Sequence, residues 1–110
     1  MAIRRPAEWQ GQWRRITARQ GDPPPPPTVD FSREMLLVAA MGPQPSGGYR
    51  VSIDKGIEQP NELLAFVRFV SAGRRCGAIA AMTSPVDIVR LPVSPKNVRW
   101  VVERQAADCS

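Results

Sequence analysis

The chain holds no histidine. Histidine triads, histidine general bases and histidine–zinc sites are therefore closed to it. Its two cysteines, Cys76 and Cys109, cannot alone complete a zinc or iron–sulfur site. Arg74 and Arg75 precede Cys76 and would favour its thiolate, but no base stands beside it to make a nucleophile. The carboxylates Asp30, Glu34, Asp54, Glu58, Glu62, Asp87 and Glu103 form no acid–base motif and read as solvated charge. The expectation is a chain that is not an enzyme, with no metal site, no cofactor and no small-molecule substrate.

The most distinctive segment is Gly42-Pro43-Gln44-Pro45-Ser46-Gly47-Gly48-Tyr49. It resembles a phosphate loop only superficially, because such loops open a helix whose N-terminus holds the anion, and this one leads into a strand pattern. Two prolines stiffen it in advance, and glycines allow positive φ and close approach of a partner backbone. Tyr49 offers an aromatic anchor with a polar tip. Pro45, Ser46, Gly47, Gly48 and Tyr49 are thus the candidate partner-binding residues. A plain hairpin connection explains the same residues, with Tyr49 in the core beside Val51 and Ile53.

The net charge is +5, and 13 of the 15 basic residues are arginine. Phosphate binding feeds on such an excess. Here the arginines are scattered as Arg4/Arg5, Arg14/Arg15 and Arg74/Arg75 among interleaved acids, and no nucleic-acid-binding motif accompanies them. A solvated basic surface is the better reading, with weak nucleic-acid binding as the alternative.

The elements that must position these residues follow from periodicity. At 110 residues the chain is one small domain, able to bury about 65% of its unfolded surface. No apolar run reaches the ~20 residues of a membrane span. Residues 1–5 are a basic start without the apolar segment of a signal peptide. Residues 6–28 read as a helix followed by a stiff strut. Pro6 suits the first helical position, and Trp9, Trp13 and Ile16 make one apolar stripe expected to pack on the chain's own sheet. Pro23 to Pro27 adopt polyproline II, roughly 15 Å of rigid spacer.

Residues 29–104 carry the β pattern. Strands are expected at 35–41, 49–54, 61–70, 86–91 and 98–103, with a short apolar piece at 79–82. Residues 105–110 are a polar tail. With no helical crossover between strands, the expected fold is mainly β, at the α+β border: an antiparallel sheet or small sandwich of five to six strands with one short N-terminal helix.

Val29-Asp30-Phe31-Ser32-Arg33-Glu34-Met35, Gly42 and Pro45-Ser46-Gly47-Gly48-Tyr49 resemble the PrcB-like family of protease-complex-associated domains. The resemblance takes in Trp9 and Trp13, the proline-rich approach, Cys76 and Thr83-Ser84-Pro85, spanning residues 7–103. Ser46 stands where the family usually has threonine. The resemblance implies a non-catalytic, bacterial protein-binding domain, an accessory or stabilising subunit of a protease, and an extracytoplasmic setting. No signal peptide precedes the domain in this chain, so the localisation is left open. In an oxidising compartment Cys76 and Cys109 would form a disulfide; in a reducing one they stay thiols. The glycine–glycine–tyrosine loop also resembles the loop of chagasin-like protease inhibitors, which implies direct inhibition through residues 45–49 as the alternative.

Overall fold

A computed structural model of the chain describes residues 1–18, 20–45, 47–73 and 83–107. Ser46, Cys76 and Cys109, together with the apolar piece at 79–82, lie outside the described residues, as does the disulfide they bear on. The elements run β1 (Ala2–Ile3), α1 (Pro6–Ile16), β2 (Glu34–Ala40), β3 (Arg50–Glu58), β4 (Glu62–Ser71), β5 (Val86–Pro92) and β6 (Asn97–Ala106). The strands make two three-stranded sheets, β1-β2-β5 and β3-β4-β6. The fold is mainly β with one short helix, as the sequence patterning implies. The described residues divide into two compact units, 1–38 with 89–95 and 39–88 with 96–110.

In the first unit, β1 pairs antiparallel with β2 through Ala2↔Leu37 and Ile3↔Leu36. Ile3, Met35, Leu36 and Leu37 are fully buried. The continuous apolar run of β2 is explained by this burial, since a strand covered on both faces has no reason to alternate. Helix α1 begins on Pro6, carries Glu8 in its first turn and Arg14 and Arg15 in its last, charges that match the helix dipole at each end.

The tryptophan stripe finds partners that periodicity did not indicate. Trp9 is buried, 5% exposed, and its ring lies 5.5 Å from that of Trp13. The Trp9 indole Nε1–H donates to the Pro27 carbonyl at 3.0 Å, and that of Trp13 to the Pro24 carbonyl at 2.9 Å. Polyproline II makes no internal hydrogen bonds, so its carbonyls are open to such donors. The proline segment is therefore not a bare spacer: it lies where both indoles of α1 hold it.

The chain then turns into β2 through Asp30. The Ser32 amide and hydroxyl both donate to Asp30 Oδ1, at 3.0 and 2.6 Å, and the Arg33 and Glu34 amides donate to the Asp30 carbonyl at 3.0 and 2.9 Å. This is the local side-chain-to-backbone turn that aspartate favours. The two bonds from Ser32 hold the Asp30 carboxyl below its ordinary range, the hydroxyl being the larger cause.

In the second unit, β3 and β4 form an antiparallel hairpin from Arg50↔Val70 to Glu58↔Leu63. The register shifts between Ile53 and Lys55, so Asp54 is the extra residue of a β-bulge. The departure from the antiparallel expectation is β6, which runs parallel to β4 from Glu62↔Asn97 to Ser71↔Ala106. A parallel pair needs a crossover, and here the chain passes through β5, a strand of the other sheet, rather than through a helix. The registers place Val51, Ile53, Leu63, Ala65, Val67, Phe69, Val98 and Trp100 on one apolar face. The opposite face mixes Leu64 and Phe66 with Ser52, Arg68, Arg99 and Glu103.

Candidate partner-binding site

The segment between β2 and β3 is pinned to residues far along the chain. Gln44 and Thr83 form an antiparallel bridge, with the Gln44 amide donating to the Thr83 carbonyl at 2.7 Å and the Thr83 amide to the Gln44 carbonyl at 2.9 Å. The Met41 amide donates to the Pro85 carbonyl at 3.1 Å, and Gln44 Nε2 donates back to the Met41 carbonyl at 3.2 Å. The two stretches singled out in the sequence, 42–49 and 83–85, are thus brought together by backbone bonds.

Two glycines shape the loop. Gly42 and Gly48 have φ of 76° and 87°, a region L-residues rarely adopt. A Cβ on Gly48 would also sit 3.1 Å from the Ala72 Cβ, whereas one on Gly42 would meet nothing within 4 Å. Pro43 and Pro45 are exposed between them. The loop is therefore fixed at Gln44 and tight at Gly48, with its prolines facing solvent.

Beside it lies an open cavity of about 350 Å³ lined by Tyr49, Arg50, Val51, Ser52, Arg68, Val70, Pro85 and Val86. Tyr49 is half-buried, so it serves the wall of this cavity and the strand end together. Of the lining residues, Ser52 and Arg68 belong to a polar cluster. Arg68 Nη2 lies 3.0 Å from Asp54 Oδ2, and the Ser52 hydroxyl donates to Asp54 Oδ1 at 3.0 Å. Arg68 Nε is 3.7 Å from Glu103 Oε2, too far for a hydrogen bond, and this buried N–H has no acceptor. An unsatisfied buried donor costs about 1–3 kcal/mol. Ser52 is paired with Arg68, and Asp54, two residues on along β3, reaches both side chains. At the same place the Ile53 amide, which the ladder with β4 does not use, donates to Asp87 Oδ2 at 2.7 Å.

Of the residues the sequence singled out, Pro45, Gly47, Gly48 and Tyr49 lie in or beside this loop. Arg50, Ser52, Arg68, Pro85 and Val86 are cavity residues that sequence reasoning missed. One signal was present: Arg68 interrupts the apolar run Leu63-Leu64-Ala65-Phe66-Val67, and an arginine there must find acids nearby. Among the described residues, no group of three metal-ligating side chains assembles, and no helix is long and apolar enough to cross a membrane. Arg33, Arg68, Arg90, Lys96 and Arg99 each sit in an ion pair, which leaves the net charge of +5 unchanged.

These features define a small mainly β domain with a stiffened, pinned loop beside a polar cavity. Residues 35–92 match the family described as PrcB C-terminal. That stretch is more than half of the chain, and the chain belongs to this family, which is not a known catalytic one. The matched stretch is narrower than the 7–103 of the sequence resemblance and contains both the loop and residues 83–85. No curated protein and no solved structure matches the chain.

Proposed function

We propose that this chain is a non-catalytic protein-binding domain, an accessory subunit that associates with a bacterial protease and stabilises it. The contact surface is the loop of residues 42–49 with the cavity lined by Tyr49, Arg50 and Arg68. The observation that carries this reading is the double backbone bond between Gln44 and Thr83. It holds Gln44, between the solvent-facing Pro43 and Pro45, in place before any partner arrives, which lowers the ordering cost of binding. A connection whose only task is to turn the chain has no need of that anchor. Membership of the PrcB C-terminal family supports the choice of a protease complex as the setting.

The same rigidity favours a second reading, direct inhibition, in which the loop enters a protease cleft. One assay separates them. Purified serine, cysteine and metalloproteases are incubated with the chain, and both the initial cleavage rate and the half-life of activity are followed. An accessory subunit lengthens the half-life of its protease and leaves the initial rate intact. A fall in initial rate favours the inhibitor, and no effect on any protease of the panel counts against both.

A further inference from the structure

We propose that β6 is a self-recognising edge through which two copies of this chain pair antiparallel about a two-fold axis at Val101. The strand is ten residues long and, among the described residues, forms one edge of its sheet, with β4 as its neighbour there. Long open edges present unpaired backbone groups and are ordinarily blunted or covered. The other edge of the same sheet, β3, is broken by the Asp54 bulge and capped at Ile53 by Asp87. β6 holds an unbroken register with β4 and contains no proline, and its charged side chains are Arg99, Glu103 and Arg104.

The sequence of β6 is complementary to its own reverse. With Val101 opposite Val101 of a second copy, Arg99 of each chain faces Glu103 of the other, twice by symmetry. Trp100 faces Val102, and Asn97 faces Gln105. Opposed residues of an antiparallel pair share a face, so each becomes a direct cross-strand contact. Sliding the register by one residue puts Arg99 opposite Arg104, a like-charge contact. Sliding it the other way leaves every charge without an opposite one. Charge therefore favours this register over its two immediate neighbours, and the isologous geometry of a closed dimer satisfies it on both sides.

The charged side chains concerned and Val102 are open to solvent, while Trp100 and Val101 are half-buried. Arg99 and Glu103 are 61% and 60% exposed, and Val102, an apolar residue, is 47% exposed. Each ion is also held in place within its own chain. Arg99 donates through Nε and Nη2 to the two Glu62 oxygens, both at 3.1 Å, and Glu103 stands 3.7 Å from Arg68. The dimer would link these two pairs across the axis and join two three-stranded sheets into one of six strands.

The test is the mass of the full chain in solution under reducing conditions, by sedimentation equilibrium from micromolar to millimolar concentration. Arg99→Glu and Glu103→Arg are each made alone. Each homodimer then carries two like-charge contacts, so dissociation should strengthen by at least about tenfold. Mixed in equal amounts, the two variants oppose Glu to Arg at both positions and should recover the dimer. Circular dichroism checks that each variant keeps its β signature. If one does not, Val102→Lys, at an exposed side chain facing Trp100 of the second copy, takes its place and should also weaken the dimer. A monomeric wild type at the highest concentration would overturn the proposal. So would variants that stay dimeric, or a mixture that stays monomeric.

Discussion

A methyl group on Gly48 would lie 3.1 Å from the Ala72 Cβ, closer than such carbons normally come. Gly48 also holds φ at 87°. Gly48→Ala therefore meets backbone strain and a clash together, and should lower stability by about 1–3 kcal/mol. Gly42→Ala has the same sign of φ, 76°, but open space around it, so it should cost less. Denaturant titration of both variants checks the order.

The indole bonds to the proline segment give a graded series. Trp9→Phe keeps most of the buried ring but strands the Pro27 carbonyl, and should cost about 1–2 kcal/mol. Trp13→Phe removes an exposed bond to Pro24 and should cost less. Trp9→Ala empties a buried site and should cost about 3–5 kcal/mol. Thermal melts of the three variants, monitored by circular dichroism, give the comparison.

Asp87 holds the Ile53 amide at the bulge. Asp87→Ala removes a charged acceptor and should cost about 1.5–3 kcal/mol. Asp87→Asn keeps an acceptor oxygen there and should recover part of that loss. Equal losses in the two variants would show that the negative charge, and not the hydrogen bond, is what β3 needs.

The Asp30 turn should leave a signature in acid. Its carboxyl is held below the ordinary value of 3.8, so the folded state binds this proton less readily than the unfolded one. The contribution is fully present above 3.8 and is lost as the pH falls through the lower folded value. The stability difference between the wild type and Ser32→Ala should therefore be constant from neutral pH down to about 4 and shrink below it. Chemical denaturation across that range reads it directly.

Much of the fold was legible because burial leaves a period. Residues 35–41 and 61–70 read as strands, and the structure places β2 and β4 there within a residue at each end. The alternation at 49–54 ended where it did because the bulge at Asp54 resets it, so the last part of β3 went unseen. β1 is two residues long and offers no period at all, though Ile3 is fully buried. The parallel pairing of β4 and β6 was hidden because the crossover is a strand. Tyr49 and Gly48 were found in the candidate site through local turn chemistry. Arg50, Arg68 and Val86 were not, since only pairing across tens of residues puts them on one cavity.

The central claim is that the loop and its cavity are a binding surface rather than a turn. The decisive measurement takes a protease that the chain stabilises and compares its affinity for the wild type, Arg50→Glu and Ser46→Trp, with the melting temperature of each variant taken alongside. Arg50 is an exposed wall of the cavity, so its replacement need not disturb the fold. Affinity should weaken by at least about tenfold, a loss near 1.4 kcal/mol, at an unchanged melting temperature. Affinity that holds in both variants, or that falls only as far as the folded fraction falls, would contradict it.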